Sequence, residues 1–226
     1  MDLIYKTQLK ITQQKMAGYM TLLNFRYMNL CVKAEIASLI PVNVFILGAV
    51  KNLEEVADVA LPDDYHIAVV PKSDEPEALQ QIAEGISMAH PEFKPTIKTT
   101  KVLNKDKQYM EYEMPEVNEN RRDFLNEAVK SLHNEAKVKI EELYTSEKAS
   151  YANVLSDNPT ELDEVSQELD HLHDESIEGI LNSKMSKLEE IEEGYQRYLS
   201  QHPDNNHNPE GTTSDFDVTQ SMKMDS

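Results

Sequence analysis

The distribution of proline is the feature that most constrains the fold of this chain. A proline inside a helix removes a backbone hydrogen bond and clashes with the preceding turn. Seven of the ten prolines lie between Pro41 and Pro115, and three long windows, 1–40, 116–158 and 160–202, contain none. The sequence therefore predicts long helices in these windows and a different kind of structure in the proline-rich segment between the first two.

Apolar residues recur three or four positions apart in each window, which is the period of a helix with one buried face. The three stripes are Leu9, Met16, Met20, Leu23, Tyr27 and Leu30; Leu125, Val129, Leu132, Ala136, Ile140, Leu143 and Tyr151; and Leu162, Val165, Leu169 and Leu172, continued after a slip at Ser176 by Ile177, Leu181, Leu188, Ile191, Tyr195 and Tyr198. Asn118 is the predicted N-cap of the second helix, and Thr160 with Asp163 has the capping-box spacing for the third. Such stripes predict helices that pack lengthwise on each other.

The proline-rich segment has the pattern of short strands around one helix. Strands are indicated by β-branched and aromatic runs and by strict apolar–acidic alternation. The predicted strands are Val42–Leu47, Tyr65–Val70 and the alternating Met110, Tyr112 and Met114, and the predicted helix lies within Glu75–His90, with Ala78, Ile82 and Ile86 on one face.

These patterns together predict an α+β fold. Residues 1–36 and 116–200 are expected to form an elongated three-helix bundle, and residues 37–115 a small inserted α/β domain. Two chain segments cross between the domains near residues 37 and 115, so a hinge is expected there. Residues 201–226 are rich in Asn, Asp, Pro, Gly, Ser and Thr, which predicts a disordered tail.

The charge balance restricts the partners of the protein. Forty-one acids against 22 bases give a net charge of −19, which argues against generic binding to nucleic acid or anionic membrane. Residues 1–34 are the exception, with five bases and Asp2 alone. A mitochondrial transit peptide can have this composition, but the regular apolar spacing favours a helix of the folded protein. The apolar stretch 38–50 is too short to span a bilayer.

The sequence lacks the motifs of the common enzyme classes. It contains no Walker loop, Rossmann glycine triplet, HExxH or GxSxG motif, and its six glycines are scattered. We therefore predict that the protein is not an enzyme and uses no cofactor or metal.

Three further features have simple structural interpretations. The single cysteine, Cys31, excludes a disulfide framework or a cysteine-rich zinc site and is expected to be a small core residue without a neighbouring base. His171 and His173 are two positions apart on a helix, where ligand pairs need three or four, so a solvated edge is expected. The acids at 189–190 and 192–193 are expected to form one solvated face.

The segment Met-Pro-Glu-Val-Asn-Glu-Asn-Arg-Arg-Asp-Phe-Leu, residues 114–125, resembles ribosome recycling factors, which have a proline and then a paired arginine here. Glu-Ala-Lys-Val-Lys-Ile, residues 135–140, is similar to the E/Q-A-K/R-V-A-I/V-R stretch of that family. Upstream, residues 42–48 and 66–71 resemble segments of the family's second domain. The resemblance spans roughly residues 10–195 and implies the same architecture that the prolines predict.

The resemblance also implies a function. Family members bind the post-termination ribosome and, with elongation factor G and GTP, promote splitting of the subunits and release of mRNA and tRNA. The implied partners are the ribosomal RNA of the large subunit and elongation factor G. A monomer without membrane association is implied, in the cytoplasm or alternatively in the matrix of a mitochondrion or other organelle.

The resemblance implies an rRNA-binding set of basic residues, but with departures. The expected rRNA-binding residues are Lys33, Arg121, Arg122, Lys130 and Lys137. Leu30 and Val32 replace an arginine and the glycine of the family's R-T-G-R-A loop. The family's R-N-x-R-R cluster aligns with residues 141–145, where Glu141, Tyr144 and Thr145 replace the bases, and Glu141 would repel phosphate. The alternative hypothesis is therefore a paralogue that has lost rRNA binding and acts as a protein-interaction module.

Overall fold

Three long helices occupy the three proline-free windows in the computed structural model, which describes residues 2–46, 48–102 and 105–203. Helix α1 is Leu3–Met28, α4 is Glu119–Val154 and α5 is Pro159–Gln201. The predicted tail falls largely on residues 204–226, outside the described residues; its first residue, Gln201, is instead the last residue of α5.

One of the two predicted N-caps is correct. The Asn118 side chain accepts a hydrogen bond from the backbone N–H of Arg121 at 2.9 Å and caps α4 as expected. The prediction of a capping box at Thr160 is wrong, because α5 begins earlier, with Asn158 as N-cap and Pro159 in its first turn. Proline suits the first turn of a helix because its missing N–H has no intrahelical partner there, so it starts the helix instead of delaying it.

Helices α1, α4 and α5 pack on each other and form what we call the bundle. Its buried core consists of Leu9, Met16, Leu23, Tyr27, Val32, Val117, Leu125, Val129, Ala136, Ile140, Tyr151, Leu155, Val165, Leu169, Leu172, Ile180 and Ile191. Four of these residues belong to α1, which confirms that the basic first segment is a helix of the folded protein.

The predicted slip of the third stripe at Ser176 is wrong. Ser176 lies in the core, where its hydroxyl donates to the carbonyl of Leu172 at 2.7 Å, and the buried row continues through Ile180, whereas Leu181 is 46% exposed. Small residues can lie on the buried row here because α1 approaches α5 closely. A Cβ added at Gly179 would lie 2.3 Å from the Met20 methyl group. Small residues on this part of α5 therefore accommodate α1.

The segment between α1 and α4 forms what we call the sheet unit. Its elements are a 3-10 turn Ile36–Leu39, β1 Asn43–Ile46, β2 Ala49–Asn52, α2 Leu53–Val56, β3 Ala57–Asp63, β4 His66–Pro71, α3 Pro76–Ala89, β5 Pro95–Val102 and β6 Lys105–Glu113. Strands β3–β6 make an antiparallel sheet in the order β3-β4-β6-β5, and β1 with β2 makes a hairpin against which α3 packs. The α+β fold class is thus confirmed.

Strands β1, β4 and β6 and helix α3 lie where they were predicted, whereas β2, β3 and β5 were not predicted. β3 and β5 are the outer strands of the sheet, and most of β3 is exposed. An outer strand with little buried surface needs no apolar alternation, so its sequence carries little strand signal.

The two cores meet at the turn that follows α1. Cys31 belongs to the core of the sheet unit, whereas the next residue, Val32, belongs to the core of the bundle. Near this turn α5 approaches closely, since a Cβ added at Gly194 would lie 2.9 Å from a Val117 methyl group. We call this region the junction. Among the described residues, no helix is both long and apolar enough to cross a membrane.

Candidate nucleic-acid interface

The first member of the arginine pair is engaged inside the molecule. Arg121 lies in the first turn of α4, and its Nη2 donates to the carbonyl oxygens of Leu30 at 3.2 Å and Cys31 at 3.3 Å. Hydrogen bonds from a charged donor to half-buried carbonyls are stronger than neutral ones. Arg121 therefore ties α4 to the turn after α1.

The second arginine faces α5 instead. The Arg122 guanidinium lies 4.3 Å from the centroid of the Tyr195 ring and donates to the Asp123 carboxylate at 3.1 Å. Its side chain keeps 27% of its exposure. The Arg122 guanidinium is therefore accessible to a phosphate, while the Tyr195 ring fixes its position.

Lys33 forms an ion pair with an acid that is distant in the sequence. Its Nζ donates to the Glu193 carboxylate of α5 at 2.7 Å, and this hydrogen bond raises the pKa of Lys33. A phosphate at Lys33 would have to compete with Glu193.

Lys130 and Lys137 are the most accessible candidates. Both are exposed on α4, and their separation of seven residues places them on one side of the helix, about 10 Å apart along its axis. Lys130 donates to Glu127 at 2.6 Å within the same helix, an exposed ion pair that contributes little. These two lysines form the open part of the predicted interface.

Residues 141–145, where the resemblance predicts the replacement of an arginine cluster, form a different arrangement. Tyr144 Oη donates to the Asp170 carboxylate of α5 at 2.7 Å, and Lys148 Nζ donates to the same oxygen at 2.9 Å. The His173 ring lies 4.4 Å from the Tyr144 ring, with its Nε2 3.3 Å from a Glu141 oxygen. We call these five residues the α4–α5 polar cluster. The hydrogen bonds from Lys148 and Tyr144 lower the pKa of Asp170, and Thr145 beside the cluster is exposed.

The predicted solvated edge is correct for one histidine and wrong for the other. The His171 side chain is 63% exposed, whereas that of His173 is only 17% exposed. Residues two positions apart on a helix point about 200° apart, so one of them faces α4.

The acidic run near the end of α5 is also only partly solvated. Lys187, whose side chain is 7% exposed, donates to Glu190 at 2.7 Å and lies 3.8 Å from Glu35, and Glu193 pairs with Lys33. The prediction of one solvated face is therefore wrong for Glu190, whose side chain is 17% exposed, and correct for Glu193, which is 55% exposed. The signal that could have revealed Lys187 is its place on the buried stripe, seven residues after Ile180 and four before Ile191.

Further contacts at the junction were not visible in the sequence. The Arg197 guanidinium lies 3.6 Å from the centroid of the Tyr65 ring. The backbone N–H of Met114 donates to the Tyr65 carbonyl at 2.8 Å, and that of Ala34 donates to the Asp64 carbonyl at 2.7 Å. The turn between β3 and β4 therefore contacts the end of α5 and both chain segments that connect the sheet unit to the bundle.

The fold defines a class of protein: an elongated three-helix bundle interrupted by an antiparallel α+β unit. A solution structure described as the ribosome recycling factor has this fold, with a TM-score of 0.66 at 16% identity over 85% of this chain and 100% of that chain. A sequence model of the family described as ribosome recycling factor matches residues 25–193. This chain therefore belongs to the ribosome recycling factor family, which confirms the resemblance.

A second solved structure is also similar. It contains models of the T. thermophilus ribosome recycling factor and the E. coli elongation factor G bound to the E. coli post-termination complex, and matches with a TM-score of 0.47 at 22% identity over 81% of this chain and 98% of that chain. A search of curated proteins found no match.

Proposed function

We propose that this protein binds the post-termination ribosome and, together with elongation factor G, promotes splitting of the subunits and release of mRNA and tRNA. Membership of the ribosome recycling factor family is the observation that carries the proposal. The protein acts by binding and not as an enzyme. It works as a monomer, in the cytoplasm or alternatively in an organelle matrix.

The proposed contact with large-subunit rRNA is made by the five basic residues, with Lys130 and Lys137 as its most accessible part. Both lysines are exposed on one side of α4, and exposed lysines bind phosphate as point charges. Arg122 and Lys33 add charge nearer the junction. Arg121 contributes mainly by holding the turn after α1, because two backbone carbonyls occupy its donors.

The proposed movement is a swing of residues 37–115 relative to a bundle formed by 1–36 and 116–200. The proposal is supported by the presence of two distinct buried cores, one in the sheet unit and one in the bundle. The cores adjoin at Cys31 and Val32. In the described part of the chain, two short segments, residues 28–34 and 114–117, connect the cores, so a swing requires rotation at few backbone positions.

The proposal is tested by ribosome splitting with elongation factor G and GTP, and by co-sedimentation with large subunits at increasing salt. The wild-type protein is expected to accelerate splitting and to lose affinity steeply as salt rises. A folded protein that neither co-sediments at low salt nor accelerates splitting would overturn the proposal.

One observation favours the second candidate function, a protein-interaction module. At the position of the family's arginine cluster, Glu141 and Tyr144 belong to the α4–α5 polar cluster and present no base. A pull-down with and without nuclease separates the two functions, because contacts through RNA are lost after nuclease treatment. Glu141→Arg should maintain or raise ribosome binding if the protein is a recycling factor, and should weaken partner binding if it is an interaction module.

A further inference from the structure

Three side chains with metal-binding atoms converge at the junction. Cys31 is a buried core residue as expected, but the expectation that no base lies beside it is wrong, because its Sγ lies 3.8 Å from His90 Nδ1. His90 Nδ1 in turn lies 3.5 Å from a carboxylate oxygen of Glu92. The three donor atoms all lie within 4.8 Å of one another. Cys31 is 1% exposed and His90 6% exposed, whereas Glu92 is at the surface. The cluster thus combines two buried ligands with one that is exposed to solvent.

The orientation of His90 is fixed by its other ring nitrogen. Nε2 lies 2.9 Å from the carbonyl oxygen of Ser38, and a carbonyl can only accept, so Nε2 carries the proton in the neutral ring. The Phe93 ring stacks on the imidazole with 4.8 Å between centroids. The lone pair of Nδ1 is therefore directed toward Cys31 and Glu92. Histidine ligands of metals characteristically donate their second N–H to a carbonyl or carboxylate in this way.

We propose that Cys31, His90 and Glu92 form a binding site for Zn²⁺, with a water molecule as the fourth ligand. A mixed set of sulfur, nitrogen and oxygen donors in tetrahedral geometry is characteristic of zinc. With metal–ligand bonds of about 2.0–2.3 Å, tetrahedral donors lie about 3.3–3.6 Å apart. The Cys31–His90 distance of 3.8 Å exceeds that range slightly, and the His90–Glu92 distance of 3.5 Å falls within it. The Cys31–Glu92 pair lies within 4.8 Å, and because the Glu92 side chain is exposed, it can move toward Cys31 to complete the site.

The position of the site gives bound zinc a structural consequence. The carbonyl of Cys31 accepts from Arg121 of α4, while the thiol lies in the core of the sheet unit. His90 and Glu92 directly follow α3. A zinc ion would thus fasten the turn after α1 to the end of α3 and stiffen the junction at which we propose the swing. Zinc binding itself does not depend on the proposed ribosomal function.

Cobalt titration of the full-length protein tests the site. Cobalt(II) can replace zinc, and a thiolate ligand gives it a charge-transfer absorption in the near ultraviolet. Because Cys31 is the single cysteine of the chain, this band can arise only from Cys31. We expect one cobalt ion per chain, displacement by zinc, and loss of the band in Cys31→Ser. In His90→Gln and Glu92→Gln we expect affinity to fall by about tenfold or more.

The control is His171→Gln, which removes an exposed histidine from α5 and should leave cobalt binding unchanged. Thermal unfolding supplies a second measurement, because zinc bound only to the folded state raises the melting temperature. We expect that rise in the wild type and in His171→Gln and its loss in Cys31→Ser.

Absence of a thiolate–cobalt band in the folded wild-type protein would overturn the proposal and leave the Cys31–His90 contact as an ordinary S–H···N hydrogen bond. If Glu92→Gln binds cobalt with the same affinity as the wild type, the assignment of Glu92 as a third ligand would be overturned. Glu92 lies at the surface, so this variant is expected to fold even if the buried Cys31 and His90 variants do not. Neither measurement uses ribosomes, so a failed zinc site is distinguishable from a failed recycling function.

Discussion

Helix α4 uses charged residues in different ways in its first half, taken as residues 119–137, and its second half, residues 138–154. In the first half, Arg121 and Arg122 are positioned by carbonyls and a tyrosine ring, and Lys130 and Lys137 remain exposed. In the second half, charged and aromatic side chains bind to α5 through the α4–α5 polar cluster. The comparison teaches that one helix can leave basic residues open to solvent along its first half while charged and aromatic residues of its second half hold it against α5.

The largest effect is expected from reversing the exposed charges of the first half. Lys130→Glu combined with Lys137→Glu should weaken binding to large ribosomal subunits by about 100-fold at moderate salt, because two attractive phosphate contacts become repulsive. The slope of log affinity against log salt concentration is negative, and its magnitude should fall by about 2. Co-sedimentation across a salt series measures both quantities.

The matched control is Lys139→Glu, which reverses an exposed lysine on α4 that pairs with Glu142 and is not in the proposed interface. Because Lys139→Glu changes the net charge by half as much as the double variant, a loss half as large on the logarithmic scale would show that binding responds to overall charge alone.

Removing the Arg121 side chain should lower the stability of the protein more than removing that of Arg122. Arg121→Ala leaves the carbonyls of Leu30 and Cys31 without their charged donor and should reduce the free energy of unfolding by about 2 kcal/mol. Arg122→Ala loses a partly exposed cation–π contact and should cost about 0.5–1 kcal/mol. Urea unfolding of both variants measures the difference, and the reverse order would contradict the assigned role of Arg121.

In the second half, Tyr144→Phe removes the hydrogen bond that the hydroxyl donates to Asp170 and the one that it accepts from Lys148, while keeping the ring against His173. The expected loss is about 1 kcal/mol in the free energy of unfolding. Ribosome binding should not change, since no phosphate contact is proposed at this tyrosine. Reduced ribosome binding in a stably folded Tyr144→Phe protein would show that the α4–α5 polar cluster is part of the interface.

The smallest effect concerns pH. Because hydrogen bonds from Lys148 and Tyr144 lower the pKa of Asp170 in the folded protein, its stabilising contribution is present above the pKa of the unfolded state. It is lost as the pH falls through the lowered value. The Asp170 side chain is 48% exposed, so solvent screening keeps this contribution small.

Unfolding curves of wild type and Asp170→Asn between about pH 6 and pH 2 measure this contribution. The stability difference between them should shrink toward acid, and a constant difference would contradict it.

Several elements were predictable because their signal is local. Proline exclusion and apolar periodicity located α1, α4 and α5, and alternation located β6, since each reports backbone geometry or burial over a few neighbouring residues. The start of α5 was misplaced because Pro159 fits a first turn as well as a break. The outer strands β3 and β5 were missed because exposed strands carry weak patterns.

The sequence by itself determined the family, the helical frame and which residues are basic. Only the tertiary structure decided how those residues are used: Lys33 pairs with Glu193, 160 residues away, and Cys31 meets His90, 59 residues away. Local patterns record burial and backbone preference, but ion pairs and ligand clusters depend on distances between remote segments. Those distances are fixed only when the two cores pack against each other at the junction.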